Sequence, residues 1–149
     1  MATMHELDRK IIDLLTDDSR LSYREIAKKL GVSHANIATR VRQLEKNHII
    51  KGYTTVLDPE FMDLYPLCIR ITAQAGYDYS MIGRYISDLD EVNVVLRVAG
   101  DCDLLALAWC KDRKEALSLI TKISKIQGIE KVESHVVLET IKLLGKKLK

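Results

Sequence analysis

Apolar positions recur at steps of three and four through the first third of the chain and at steps of two through much of the remainder. Leu7, Ile11, Leu14 and Leu15 form one stripe and predict a helix over about residues 5–18. Ser22 and Glu25 then have the spacing of a capping box, in which each side chain satisfies a backbone N–H of the other. Ile26, Ala27 and Leu30 continue that second, short helix, and Gly31 stops it. Ser33 is a good N-cap for a third helix that runs to about Asn47 with Ile37, Val41 and Leu44 on one side. Two short helices separated by Gly31-Val32 make a helix-turn-helix pattern.

Beyond the third helix the pattern changes. Ile49 to Leu57 is rich in Ile, Tyr, Thr and Val, which suits a short strand or extended arm. Asp58-Pro59 interrupts it, because proline cannot sit in a central strand and biases the residue before it to an extended conformation. Residues 58–64 are therefore read as a linker. Leu67 to Gln74 alternates as a strand, and Ser80 to Leu89 is a helix with Ile82, Tyr85, Ile86 and Leu89 inward. Val92 to Ala99 is a second strand, with Val92, Val94, Leu96 and Val98 on one side. Leu104 to Cys110 is apolar on both faces, as expected of an interior strand. Asp112 to Ile126 is a helix through Ala116, Leu119, Ile120 and Ile123, and Lys131 to Thr140 is a fourth strand. The order βαββαβ is the ferredoxin-like split unit. The fold class is thus α+β: a winged helix-turn-helix over 1–57, a linker over 58–64 and a ferredoxin-like unit over 65–149.

One face of such a sheet packs on its two helices. The other is expected to show several of Cys68, Val95, Ala99, Val137 and a row from the third strand, an apolar patch that a monomer rarely leaves in water. Burial against the same face of a second copy removes it, and an isologous dimer is the commonest solution.

Composition adds exclusions. Apolar residues make up 47% of the 149 and charged residues 30%, the balance of a globular chain with a packed core rather than a disordered one. No apolar stretch approaches the roughly 18 to 20 residues of a spanning helix, and the first fourteen residues are dense in charge, so a cytoplasmic protein without a membrane partner is expected. Cys68, Cys102 and Cys110 are odd in number and lack CxxC spacing, and His5, His34, His48 and His135 are scattered, so neither a disulfide framework nor a metal site is expected. The formal charge of +2 conceals an asymmetry. Residues 20–51 hold eight basic and two acidic residues, a local +6, and Lys146, Lys147 and Lys149 form a second basic cluster.

That charge surrounds a plausible groove-reading face. At about 100° per residue from the buried Ile37 direction, Ala35, Thr39, Arg42 and Lys46 fall on the far side of the third helix, flanked by Asn36 and Gln43. Ala35 and Thr39 suit a thymine methyl, Asn36 and Gln43 suit adenine, and Arg42 suits guanine or phosphate. Arg40 lies nearer the core edge, where it anchors a phosphate or packs its stem. Ser22, Tyr23, Arg24 and Lys28 sit at the second helix, where backbone N–H groups and side chains bind phosphate, and Ser33 stands at the start of the third. Lys51 and Tyr53 follow as a small wing. The expected partner is double-stranded DNA with a pseudo-palindromic site, since a two-fold protein reads two half-sites.

These residues resemble the leucine-responsive regulatory protein and AsnC family of transcription regulators. The resemblance rests on Leu7-Asp8, Ile11-Ile12, Leu14-Leu15, Arg20-Leu21-Ser22, Glu25-Ile26-Ala27, Leu30-Gly31-Val32-Ser33, Arg40-Val41, Leu44-Glu45 and Ile49-Ile50-Lys51-Gly52-Tyr53. It continues through Gly100-Asp101-Cys102-Asp103 and Ile126-Gln127-Gly128-Ile129. It implies a C-terminal domain that dimerises, often assembles to octamers, and binds a small effector, usually an amino acid, between subunits. The chain departs from the family at Asn47-His48, where a glycine is common and where Asn tolerates a left-handed φ, and at Cys102, where an aromatic or small residue is usual.

By that resemblance the turn at Gly100, Asp101 and Asp103 contributes to the effector pocket, with Tyr77, Ser134 and Val136 as weaker members. Asp101 and Asp103 also invite an enzymatic reading, but acid–base catalysis needs a partner and pocket that the sequence does not show, and no enzyme and no cofactor are expected. The function expected is a sequence-specific DNA-binding regulator whose assembly or DNA affinity responds to a small effector. The alternative is an amino-acid sensor acting through protein contacts without DNA.

Overall fold

A computed structural model describes residues 5–147, and these residues fall into two compact units that divide between Thr55 and Val56. In the first, α1 (Glu6–Asp17), α2 (Tyr23–Leu30) and α3 (His34–Lys46) close on Ile11, Leu15, Ile26, Ala27, Ile37, Val41 and Leu44. Every expected apolar stripe of this unit reaches that core. The left-handed residue after α3 is His48, at φ 56°, whereas Asn47 has φ −85° and is an ordinary cap. This one-residue shift lets the N–H groups of Ile49 and Ile50 both reach the Leu44 carbonyl, the usual way of satisfying the last turn. Of the short strand or extended arm expected over 49–57, no strand forms among the described residues; from Lys51 to Asp58 the chain is irregular.

The second unit is built on β1 (Tyr65–Ala73), α4 (Tyr79–Ser87), β2 (Val92–Arg97), β3 (Leu104–Cys110), α5 (Arg113–Ser124) and β4 (Ile129–Val136). The sheet order is β2-β3-β1-β4, with antiparallel pairing throughout, which is the ferredoxin-like arrangement. Residues 59–63 fold as turns: Asp58 accepts the Glu60 N–H and the Leu64 N–H returns to the Pro59 carbonyl.

Leu67, Ile69, Ile71 and Ala73 of β1 and Leu104, Ala106, Ala108 and Cys110 of β3 point to one face, where Ile82, Ile86, Ala116, Leu119 and Ile123 cover them. Burial pushes the Cys110 thiol up to about 11, so it is an inert core residue.

Three sequence expectations change here. A bulge between Val92 and Val94 shifts the register, so that Val92 and Val95 both face the core while Val94 and Leu96 pair with Leu107 and Leu105 on the open face. Val95 is therefore a core residue, not part of the exposed row. Tyr85 is exposed, because α4 approaches the sheet through Gly83 as well as Ile82 and Ile86, which turns Tyr85 out by about 100° from the buried direction. The fourth strand ends at Val136, where β1 offers no further partner beyond the Val137 N–H to Pro66 carbonyl bond. Past it, β5 (Lys142–Leu143) and β6 (Lys146–Lys147) form a small hairpin turned by Leu144 and Gly145, both at positive φ. Lys149 of the expected basic cluster lies outside the described residues.

The open face carries Cys68, Arg70 and Thr72 from β1, Leu105, Leu107 and Trp109 from β3, and Val94 and Leu96 from β2. Within one copy of the chain these are half-buried or exposed.

Candidate nucleic-acid interface and effector turn

The helix-turn-helix is fixed by local chemistry. Ser22 Oγ accepts the Glu25 N–H, and Glu25 Oε2 accepts both the Ser22 N–H and the Ser22 hydroxyl, each at 2.7 Å. Those bonds from the Ser22 hydroxyl and N–H hold the Glu25 carboxyl below its usual range. Gly31 takes φ 68°, a left-handed conformation that glycine adopts without steric cost, and ends α2. Two residues later Ser33 Oγ accepts the Asn36 N–H and starts α3.

With Ile37, Val41 and Leu44 buried, α3 turns Ala35, Asn36, Thr39, Arg42, Gln43 and Lys46 to solvent. All six expected reading residues share this exposed side. The Thr39 hydroxyl donates to the Ala35 carbonyl at 3.0 Å, which satisfies it within the helix and leaves the methyl group as its outward contact. Among the described residues neither Arg42 nor Lys46 has a carboxylate partner. Tyr23 is partly exposed and Arg24, Lys28 and Lys51 are exposed.

The structure puts four other residues to different use. Ser22 and Ser33 are committed as caps, so their contribution is to aim the N-termini of α2 and α3. Arg40 Nη1 donates to Asp8 Oδ1 at 2.8 Å, with both side chains about one-fifth exposed, and so ties α3 to α1. Its Nε is buried without a partner. The Asp8 contact gave no signal in the sequence, because 32 positions separate the pair. Tyr53 was expected in a wing. Its hydroxyl instead donates to Glu45 Oε1 at 3.0 Å, and burial together with the Glu45 carboxylate pushes the phenol up to about 12, so it holds the segment after α3 against that helix as a neutral donor.

In the second unit, Gly100, Asp101 and Asp103 lie in the β2–β3 turn, at the sheet end where β1 finishes and β4 begins. Gly100 has φ 145°, with nothing within 4 Å of the place a Cβ would occupy. Asp103 braces the turn: its N–H donates to the Ile71 carbonyl, its carbonyl accepts from Val98, and its carboxylate accepts the Ala73 N–H at 2.9 Å. Asp101 is exposed and forms an ion pair with Arg70. The Cys102 thiol and the Asp101 carboxylate beside the Arg70 guanidinium raise its pKa further. Arg70 is the residue that sequence reasoning missed here, since only the sheet register brings it beside the turn.

Tyr77 is at the same end, its ring lying over Gly128, where an added Cβ would come within 2.3 Å of the ring. Ser134 and Val136 are not brought to this place. They pair with Ile69 and Leu67 and so share the helix-covered side of edge strand β4, further along the sheet. Among the described residues no group of three His, Cys, Asp or Glu side chains is arranged to hold a metal, and no helix is long and apolar enough to cross a membrane.

Comparisons with known proteins match both units. Residues 4–51 match a family model described as winged helix-turn-helix DNA-binding, and residues 67–145 match one described as the Lrp/AsnC ligand binding domain. The chain is 38% identical over 138 residues to an uncharacterized HTH-type transcriptional regulator of Pyrococcus furiosus, covering 92% of this chain and 93% of the relative. Among solved structures, E. coli AsnC superposes with a TM-score of 0.77 at 27% identity, covering 95% of this chain and 96% of the other. A transcriptional regulator of Neisseria meningitidis in complex with L-Met shares the fold, with a TM-score of 0.80 at 24% identity over 99% of this chain and 97% of that one.

Proposed function

The chain belongs to the Lrp/AsnC family of DNA-binding transcriptional regulators, and on that premise we propose that Ala35, Asn36, Thr39, Arg42, Gln43 and Lys46 of α3 read base edges in the major groove. The family places DNA binding in the first unit and a small-molecule effector in the second. The observation that carries the residue assignment is the α3 surface itself: an amide, guanidinium and ammonium row, without a carboxylate partner among the described residues, on a short capped helix within a local charge of +6. Tyr23, Arg24, Lys28 and Lys51 flank it and suit phosphate contacts, whereas Arg40 serves the fold.

The open sheet face, with Leu105, Leu107, Trp109, Val94 and Leu96, is where a second copy packs in this reading, giving a dimer that can assemble further, to an octamer. A two-fold dimer presents two copies of α3 to a pseudo-palindromic DNA site in the cytoplasm. The effector is an amino acid held at the Gly100–Asp103 turn near Tyr77, where the Asp101 carboxylate, exposed beyond its ion pair with Arg70, suits an ammonium group; the L-Met complex of the meningococcal regulator supports that ligand class. Ser134 and Val136 lie further along β4 within one copy of the chain. Such an effector acts only as far as its affinity differs between assembly or DNA-bound states.

The test has two arms. Selection of duplexes from a random pool should enrich a two-fold symmetric site, and Arg42→Ala should weaken it by about 1 to 3 kcal/mol. A thermal-shift screen against the twenty amino acids should single out one or a few that stabilise the protein, with the gain lost in Asp101→Asn. Unchanged binding of selected and random DNA by Arg42→Ala would refute the reading face. An amino-acid response without any DNA binding would favour a sensor working through protein contacts.

A further inference from the structure

Helix α4 and the edge strand β2 leave between them a groove of about 250 Å³ that none of the preceding assignments uses. Its floor is apolar: Val95 and Leu104 lie beneath Gly83, where an added Cβ would meet their side chains at 3.7 and 3.6 Å. Its wall is cationic, with Arg84 from the last turn of α4 and Arg97 from the end of β2.

Two features set these arginines apart from Arg70, which Asp101 neutralises. First, among the described residues neither guanidinium has a carboxylate partner. Asp78 accepts the Ser80 and Met81 N–H groups and Asp103 accepts that of Ala73, while Asp88, one turn beyond Arg84 at the C-cap of α4, forms no ion pair with it. Second, Arg97 lies 5.3 Å from the centroid of the Tyr79 ring, a cation–π contact that restricts its long side chain before any ligand arrives. Restricting the donor beforehand lowers the ordering cost of binding.

We propose that this groove binds a small phosphomonoester, with its phosphate between Arg84 and Arg97 and its short apolar body on the Gly83, Val95 and Leu104 floor. Two fork-shaped cations match a dianion with three terminal oxygens better than a carboxylate, which offers one charge and two oxygens. The Ser80 hydroxyl, on the same rim, adds a further donor. The volume is below the roughly 300 to 1,000 Å³ of pockets for drug-sized ligands, which limits the body to a few carbons. The site is independent of the DNA reading and differs in chemistry from the turn at Gly100–Asp103, where an exposed carboxylate suits a cationic group.

The experiment titrates the full-length protein with n-propyl phosphate by calorimetry and by amide NMR, with 1-propanol and inorganic phosphate as separate arms. Propyl phosphate should bind and shift amides of α4 and β2. Propanol should not bind, and inorganic phosphate should bind more weakly. Arg84→Gln and Arg97→Gln should each weaken propyl phosphate at least tenfold without changing the melting temperature, since both side chains are exposed. No binding at about 10 mM, shifts that map elsewhere, or affinity unchanged in both variants would overturn the site. Equal binding of propanol would overturn the role of the anion, and equal binding of inorganic phosphate that of the apolar floor.

Discussion

Removing Asp8 should show that Arg40 holds the reading unit together rather than holding DNA. The pair joins α1 to α3 at 2.8 Å, with the Asp8 side chain 20% exposed and that of Arg40 23% exposed. Fully exposed pairs contribute about 0 to 1 kcal/mol, and breaking a fully buried pair costs about 3 to 5 because one charge is left uncompensated. At one-fifth exposure we expect Asp8→Ala to cost about 2 kcal/mol, between those limits. Arg40→Met should cost less, about 1 kcal/mol, because methionine keeps much of the packed stem and also removes the buried, unpartnered Nε. The double variant should then resemble Arg40→Met alone, a coupling of about 2 kcal/mol in the cycle. Hydrogen exchange of the α1 and α3 amides reads the opening energy of this unit directly. The DNA-affinity salt slope, taken where each variant is folded, should be unchanged in Arg40→Met, whereas loss of a phosphate contact lowers it by about 1. Normal amide protection in Asp8→Ala, together with a reduced slope in Arg40→Met, would refute the structural role and return Arg40 to the DNA contacts.

Other consequences are as specific. Gly128→Ala places a Cβ 2.3 Å from the Tyr77 ring at φ 90° and should cost about 3 kcal/mol by thermal melting, and less when combined with Tyr77→Ala, because the collision is then gone and only the backbone strain stays. Ser22→Ala should destabilise α2 by about 1 kcal/mol through loss of the cap, and NMR titration should find the Glu25 carboxyl raised part of the way toward its ordinary range, since the N–H of residue 22 still donates to it. The Lys122 ammonium, bonded at 2.8 Å, holds the Glu91 carboxyl below its ordinary value, so this pair stabilises the fold above the usual glutamate range and loses its effect as pH falls through the lowered folded value. A pH series of melting temperatures should therefore show a shallower acid-side decline in Glu91→Gln; an identical decline would show that Glu91 does not contribute to it.

The parts of the fold legible in the sequence are those set by local chemistry. The Ser22–Glu25 box, Gly31 and Ser33 mark helix ends within four residues of themselves, and the stripes through Ile11, Ile37 and Ile123 need only the helical repeat. What escaped depends on partners distant in sequence. The bulge at Asn93 reassigns Val95 to the core only once β2 is laid on β3. Tyr85 turns outward because Gly83 lets α4 approach the sheet, which a stripe of large apolar residues does not reveal. The segment 49–57 has strand-forming residues but no strand to pair with in its unit. For the exposed side of α3 the angular argument sufficed, because that exposure follows from the burial of Ile37, Val41 and Leu44. For the effector turn it did not, because Arg70 meets Asp101 across 31 positions and only the register separates Ser134 and Val136 from the turn.

Binding of duplex DNA by the cationic α3 surface is read from the affinity for a selected two-fold symmetric duplex across a salt series. Log affinity should fall straight and steeply with log salt, and Arg42→Ala should weaken the complex by about 1 to 3 kcal/mol at each salt concentration. Affinity indifferent to salt, or the same for wild type and Arg42→Ala on selected and random duplexes alike, would contradict it.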